Sequence, residues 1–173
     1  MLERSSNVNN LFVLNCSEKS DIPLWFVNFT CVAVNLWVNL PVLARKVKAG
    51  NEYDIYAIED GGRCEILDFL SSLEASNRVE FSKLIALFDM TADMGRITNP
   101  HKFKLLDDGI YEFKTHGGVR VLCFFDGRCI VVLTHGFMKK KKIDSEIKRA
   151  VNLKYKYVVA KAQNTLFYKN EDL

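Results

Sequence analysis

The amino-acid sequence predicts an α+β fold. An N-terminal strand and a helical hairpin are expected to pack on an antiparallel β-sheet, with a helix at the C-terminal end of the domain. Apolar residues recur at helical spacing after residue 62 and again after residue 143. Between these helices lie three segments rich in β-branched and aromatic residues. The composition, 49% hydrophobic and 26% charged, is that of an ordinary globular protein.

The chain of 173 residues suits one domain with an appendage. We expect an N-terminal extension over 1–50, the domain over 51–162 and a C-terminal tail over 163–173. Residues 22–43 carry no charge and are long enough to span a bilayer. Three asparagines that would share one side of a helix, and two prolines, argue against a membrane anchor. A packed or disordered extension is the favoured alternative.

The cysteines indicate a reducing compartment. There are five, an odd number, and none forms a Cys-x-x-Cys pair. The three histidines are separated from one another and from any cysteine pair, so no metal-ligand spacing appears. Together with the absence of a clear signal peptide, this favours a cytoplasmic protein.

The first elements of the domain are a strand and two helices. Residues 53–58 alternate as a strand does, and Asp60-Gly61-Gly62 ends it. A helix over 63–76 follows, and a second over 78–90 has Asn77 as N-cap. Glu80 occupies the capping-box position of this second helix.

Three strands are expected next, over 110–115, 119–125 and 129–135. A three-residue loop, 116–118, places Lys114 opposite Arg120, whereas a two-residue loop would put Lys114 on the other face; we favour the first. A two-residue turn at Asp126-Gly127 pairs Cys123 with Ile130 and sets Leu133 opposite Arg120.

The last helix is predicted to begin near Asp144 or Ser145. Its apolar stripe is expected to consist of Ile147, Val151, Tyr155 and Val158.

Positive charge is concentrated in the second half of the domain. Residues 101–161 hold 14 Lys/Arg and 6 Asp/Glu, whereas residues 1–100 hold 9 and 13. Such a basic region predicts an anionic partner, and a solvated charged surface remains the alternative. Four consecutive lysines, 139–142, stand where the last strand of the sheet ends.

Two runs in this region, FKLLDDGIYEFKTHGGVRVLCFF and CIVVLTHGFMKKKKIDSEIKRA, resemble the HigB-like branch of the RelE/ParE toxin superfamily. The resemblance covers about residues 52–160. The matching residues, in family order, are Leu106, Gly109, Tyr111, Glu112, Arg120, Gly136, Phe137, Lys139 and Lys140.

The resemblance implies a RelE-like fold and the toxin of a type II toxin–antitoxin system. Such toxins are metal-independent endoribonucleases that cut messenger RNA, commonly on the ribosome, and so inhibit translation. The implied partners are mRNA, the ribosome and a cognate antitoxin, expected to carry a helix-turn-helix. The sequence departs from the family at Lys114, where arginine is usual, and at Val119, where an aromatic residue is usual.

RNA cleavage requires activation of a 2′-hydroxyl, stabilisation of phosphoryl charge and protonation of the leaving 5′-oxygen. Clustered cations can meet these needs without a metal or other cofactor. The candidate catalytic residues are Lys114, Arg120, His135, Lys139 and Lys140. The candidate RNA-binding residues are Lys102, Lys104, Lys141 and Lys142.

A second function stays open at this stage. The same fold could serve a non-catalytic protein that poisons DNA gyrase as ParE does, or a module that only binds an antitoxin.

Overall fold

The computed structural model of the chain describes residues 41–170. Within this range the chain forms seven strands and three helices. In chain order they are β1 (Leu43–Lys48), β2 (Asp54–Glu59), α1 (Glu65–Ser76), α2 (Arg78–Met94), β3 (Phe103–Leu105), β4 (Tyr111–Lys114), β5 (Val119–Asp126), β6 (Ile130–Met138), α3 (Asp144–Ala162) and β7 (Phe167–Lys169). The fold is mixed α+β, as the sequence predicts.

All seven strands join one sheet in the order β3-β4-β5-β6-β2-β1-β7. The prediction of an antiparallel sheet is wrong for two of its pairs, since β2 pairs parallel with β6 and β1 pairs parallel with β7. A parallel neighbour requires a crossover, and α1 and α2 lie in the connection that follows β2. The sheet also takes β1 from the expected extension 1–50 and β7 from the expected tail 163–173.

Helices cover both faces of the sheet. The face toward α1 and α2 carries one apolar cluster, which includes Leu84, Phe88, Phe113 and Val121. The opposite face carries a second cluster, in which Leu122, Phe124 and Val132 pack against Ala150, Leu153 and Tyr157 of α3. Alternate residues of β5 therefore serve two different cores, as the period of two in a strand requires.

The buried stripe of α3 differs from the predicted one. Tyr155 is 67% exposed and Val158 is 51% exposed, while Ile147 and Val151 are half-buried. The residues that face the sheet are Glu146, Ala150, Leu153, Tyr157 and Ala160. The buried stripe contains a glutamate and two alanines, so it is less hydrophobic than the predicted stripe. Selecting the most apolar stripe of the helix therefore predicted the wrong face.

The loop between β4 and β5 has the predicted length. Lys114 pairs with Arg120, and the Thr115 N–H donates to the Val119 carbonyl at 3.1 Å. Gly118 adopts φ +91°, a backbone conformation that favours glycine. The prediction that Lys114 lies directly opposite Arg120 is confirmed.

Glu80 holds this loop against α2. Asn77 caps the helix as predicted, since its side chain accepts the Glu80 N–H at 3.2 Å. The Glu80 carboxylate, however, does not complete a capping box. It accepts hydrogen bonds from the Thr115 hydroxyl, the Gly117 N–H at 3.0 Å and the Lys83 ammonium at 2.7 Å. A Cβ on Gly117 would overlap this carboxylate, which explains the glycine.

The register between β5 and β6 was predicted wrongly. The connecting loop has three residues, Gly127 to Cys129, because Asp126 pairs with Ile130. A β-bulge between Leu122 and Cys123 then inserts one extra residue in β6. Arg120 consequently lies opposite Phe137 rather than Leu133, and His135 lies opposite Leu122.

No helix within residues 41–170 is long and apolar enough to cross a bilayer. The uncharged stretch 22–43, apart from its last three residues, lies outside the described residues.

Gly136 lies where α1 packs on β6, and a Cβ there would overlap the ring of Phe69. We expect Gly136→Ala to lower the free energy of unfolding by about 1–3 kcal/mol, because the added methyl group overpacks a filled contact. Urea denaturation measures the change. Adding Phe69→Ala should recover part of the loss, whereas additive losses in the double variant would contradict this account of the glycine.

Glu80→Gln should lower the unfolding free energy by about 1–3 kcal/mol at pH 7, because it weakens three buried or half-buried hydrogen bonds. The Lys83 ammonium and the Thr115 hydroxyl lower the pKa of Glu80 in the fold. Its contribution is thus complete above the unfolded pKa of about 4.3 and is lost as the pH falls through the lower folded pKa. The stability gap between wild type and variant, measured by urea denaturation, should therefore narrow below about pH 4.

Glu74→Gln is the matched control, because Glu74 is an exposed carboxylate on α1. We expect it to change stability by less than about 0.5 kcal/mol. A gap for Glu80→Gln that stays constant from pH 7 to pH 3 would rule out the carboxylate as its source.

Candidate functional site

The candidate site is a row of charged side chains on the α3 face of the sheet, at the end where β4 turns into β5. Lys114 and Arg120 are directly opposite each other on the two strands. The Arg120 Nε lies 3.4 Å from Oε1 of Glu112, which stands two residues before Lys114 on the same face. Glu112 is buried, whereas Lys114 and Arg120 are half-buried. We call Glu112, Lys114 and Arg120, with Lys104, the cationic cluster.

Lys104 lies on β3, the edge strand, and Lys102 lies in the turn immediately before it. Lys104 pairs with Glu112 across the sheet, and the Lys102 carbonyl accepts the Lys114 N–H at 2.7 Å. Both lysines are exposed. Of the four predicted RNA contacts, these two therefore lie beside Lys114.

Burial shifts two pKa values of the cluster. It lowers the pKa of Lys114, with Arg120 and Lys104 acting in the same direction and Glu112 opposing them. Burial also raises the pKa of Glu112, although Arg120, Lys114 and Lys104 oppose that shift. Burial thus favours the neutral form of both the Glu112 acid and the Lys114 amine.

His135 lies in a buried position. Its side chain is 2% exposed, and its Nε2 lies 3.2 Å from Oε2 of Glu146 on α3. The other ring nitrogen lies 3.3 Å from the Thr134 hydroxyl. Burial, and the charge of Arg149, lower the pKa of His135, while Glu146 opposes the shift. The imidazole therefore joins β6 to α3 and does not face solvent.

The lysine run connects the end of β6 to α3, and all four of its side chains are exposed. The Lys139 N–H donates to the Gly118 carbonyl at 2.7 Å, and this bond places the lysine beside the β4–β5 loop. The Lys140 ammonium bonds Oε1 of Glu146 at 2.6 Å. Lys141 and Lys142 lie farther along the connection to α3.

Glu146 therefore organises the β6–α3 junction, and its pKa is lowered chiefly by Lys140. It receives Lys140 on one oxygen and His135 on the other. Neither Glu146 nor Glu112 was predicted as a site residue, although Glu112 matches the resembling family. The positions of these acids follow from strand register and helix phase, which no spacing of acidic residues in the sequence indicates.

The structure brings Lys114, Arg120 and Lys104 to one face and brings the Lys139 backbone to the loop that joins their strands. It separates His135 from solvent and ties Lys140 to an acid. A row of cations around a buried carboxyl group can bind a phosphate and exchange a proton with its substituents.

A comparison with protein families gives one match, to the family described as phage derived protein Gp49-like (DUF891), over residues 68–154. No curated protein matches the chain significantly. The family match spans α2, the cationic cluster, the lysine run and most of α3, and it covers half of the chain. The chain therefore belongs to the phage-derived Gp49-like family, which is part of the RelE/HigB-like toxin–antitoxin group and implies an antitoxin partner.

Proposed function

We propose that the chain is the toxin of a toxin–antitoxin pair and that it cleaves messenger RNA without a metal, at the cationic cluster. The observation that carries the proposal is the placement of Lys114 opposite Arg120. The buried Glu112 lies beside them, with its Oε1 3.4 Å from the Arg120 Nε. The cytoplasm, where mRNA is translated, is the compartment in which this activity would stop growth. Lys102, Lys104, Lys141 and Lys142 supply contacts to the backbone of mRNA or ribosomal RNA.

Arg120 is suited to hold the scissile phosphate. Its guanidinium is kept in place by Glu112 and by long contacts of 3.4 Å to the Thr115 and Val119 carbonyls. A guanidinium fork binds two phosphoryl oxygens at once and keeps its charge throughout the reaction. Arg120 therefore stabilises the negative charge that develops on the phosphorane.

Lys114 is suited to move a proton. Because its pKa is lowered, a larger share of its amine is neutral than in an exposed lysine. In the proposed step the Lys114 amine accepts the proton of the 2′-hydroxyl while the 2′-oxygen bonds to phosphorus. The bond from phosphorus to the 5′-oxygen breaks, and the Lys139 ammonium gives that oxygen a proton. The products are a 2′,3′-cyclic phosphate and a 5′-hydroxyl.

His135 and Lys140 receive different roles in this scheme. His135 is buried against Glu146, so it acts as a positioning residue for the β6–α3 junction. Lys140 shares Glu146 with it and fixes the path of the lysine run. Neither is required to touch the substrate.

Substitution of the two cations should abolish most of the cleavage. We expect Lys114→Ala and Arg120→Ala each to lower the single-turnover rate on an mRNA fragment by about 10²–10³-fold, because each removes a group that acts in the transition state. Arg128→Ala is the matched control, since Arg128 lies in the loop at the other end of β5, roughly 25 Å away. Equal losses in all three variants would point to non-specific electrostatics.

Lys114→Arg separates charge from proton transfer. Arginine, which is usual at this position in the resembling family, keeps the charge but stays protonated. Since the proposal makes Lys114 the proton acceptor of this chain, we expect a loss similar to that of the alanine variant, together with a change in the pH–rate profile. Full activity in Lys114→Arg would show that Lys114 only holds phosphate, and the acid–base assignment would then be wrong.

The chemical groups at the ends of the cleaved RNA test whether cleavage proceeds without a metal. Cleavage should proceed in excess EDTA and leave 3′ ends that resist polyadenylation until the cyclic phosphate is removed. A 3′-hydroxyl, or rescue only by Mg²⁺, would contradict the proposed route. Intact mRNA combined with blocked gyrase supercoiling would favour the gyrase-poisoning alternative.

A further inference from the structure

A groove runs along α2 on the sheet face opposite α3. Two adjoining clefts of about 400 Å³ and 300 Å³ form it and share Met90, Asn99 and Lys102. Its floor is the stripe Lys83, Ala86, Leu87, Met90 and Met94, at spacings i, i+3, i+4, i+7 and i+11. We call it the α2 groove. The stripe extends about 17 Å, three turns of helix.

Apart from Lys83 at one end, the floor of the α2 groove is apolar, and its two methionines are exposed. Met90 is 36% exposed and Met94 is 79% exposed, whereas Leu87 is buried beneath them. Methionine side chains adapt their shape to an apolar partner, and they are common on surfaces that bind peptides. Two of them one turn apart on an exposed stripe are typical of a docking surface.

The rim of the groove is positive. Within residues 41–170 the lining contains no acidic residue. It includes four cations and two histidines, namely Lys83, Arg96, Lys102, Lys114, His101 and His116. Asp89 of the same helix points away and pairs with Lys48 of β1 at 2.9 Å. Lys83 bonds Glu80 but remains half exposed. An occupant with carboxylates along its flank would therefore be complementary to the rim.

The walls of the groove are held in place by hydrogen bonds. On one side the Asn99 side chain accepts the His101 N–H at 2.8 Å, and the Asn99 carbonyl accepts the Lys102 N–H at 3.0 Å. At the far end the loop that carries His116 is tied to Glu80 of α2. A partner would meet a preformed surface and would lose little free energy in ordering it.

The lining distinguishes between three occupants. Within residues 41–170 it contains no Phe, Tyr or Trp, the side chains that most often stack RNA bases, and its only aromatic side chains are those of two histidines. Residues 22–43 of the chain carry no charge and do not complement the rim. An amphipathic helix with apolar residues on one side and carboxylates on the other matches both the floor and the rim.

We propose that the α2 groove is the docking site for an acidic amphipathic helix of the antitoxin, a proposal that rests on the toxin function argued above. Lys114 belongs both to the groove and to the cationic cluster. Carboxylates bound at that end of the groove compete with an RNA phosphate for Lys114 and Lys102. Inhibition then follows from docking on the face opposite α3, without any need to cover that face.

The methionines of the chain provide four reporters. The full chain holds Met1, Met90, Met94 and Met138, so ¹³C-methyl labelling gives four NMR signals. Met90 and Met94 report on the groove. Met138 pairs with Val119, which packs on the α2 face of the sheet, so Met138 reports on that face beside the β4–β5 loop. The probe is a synthetic peptide of about 14 residues with leucine on one helical face and glutamate elsewhere.

We expect this peptide to shift the Met90 and Met94 signals saturably and to leave Met138 nearly unchanged, with affinity falling as salt is added. Replacing its glutamates with lysines, or its leucines with serines, should abolish the shifts. An RNA oligonucleotide that binds the cationic cluster on the α3 face should leave the Met94 signal unchanged. No shift up to millimolar peptide, peptide shifts centred on Met138, or RNA shifts centred on Met94 would each overturn the proposal.

Two variants give the matched comparison. Arg96→Gln should weaken peptide binding about three- to tenfold by removing a rim charge. Tyr155→Ser removes an exposed apolar side chain of α3 and should leave the affinity unchanged. The reverse order of effects would place the peptide on α3 and overturn the proposal. Peptide binding is measured without RNA cleavage, so the two proposals can fail separately. A chain that binds the peptide but does not cleave RNA would refute only the nuclease proposal. A chain that cleaves RNA but does not bind the peptide would refute only the docking proposal.

Discussion

The buried carboxylate of Glu80 is the constraint on which the site depends. It joins α2 to the β4–β5 loop through the Thr115 hydroxyl and the Gly117 N–H. The loop keeps three residues because these contacts define where β4 ends and β5 begins. With one residue fewer, the period of two in a strand would turn Lys114 to the other face and leave Arg120 without its neighbour. A helix on one face of the sheet thus determines which cations meet on the other.

Cations brought so close repel one another, and the acids of the site offset this repulsion. Two unit charges about 6 Å apart at an effective dielectric constant of about 20 repel by about 3 kcal/mol. Glu112 stands between Lys104 on β3 and Arg120 on β5, and Glu146 receives Lys140 at the β6–α3 junction. The acids are buried while the lysines remain exposed. The site is therefore stable when empty and still presents net positive charge to an anion.

Sequence patterns were sufficient where structure is local. Gly117 and Gly118 mark the β4–β5 loop, and the three-residue length favoured for it gives the observed register of Lys114 and Arg120, although the glycines also fit a loop of two residues. The Asp126-Gly127 pair marks a turn equally well, but it suits loops of two and of three residues. The longer loop and the bulge at Leu122 and Cys123 moved Phe137, and not Leu133, opposite Arg120. The position of a bulge depends on how both faces of the sheet pack, so no local sequence motif predicts it.

The missed strands have a different cause. β3 and β7 have three residues each, and three of the six residues of β1 are cations. Strand propensity is weak over such lengths, and β1 is held by partners elsewhere in the chain, since Arg45 pairs with Glu59 and Lys46 with Asp54. Likewise, the sheet-facing stripe of α3 can contain Glu146 because its carboxylate bonds the Lys140 ammonium and the His135 imidazole. These choices become clear only once the partners are known.

The placement of Lys114 links the two surfaces of the molecule. It lines one end of the α2 groove, and it also lies opposite Arg120 in the β4–β5 strand pair. Lys114 is the last residue of β4, so it stands at the end of the strand, where it contributes to both surfaces. Burial lowers its pKa, because burial disfavours the charged amine. Under the two proposals above, an RNA phosphate and an antitoxin carboxylate would both bind Lys114, so they would compete without any need for a conformational change.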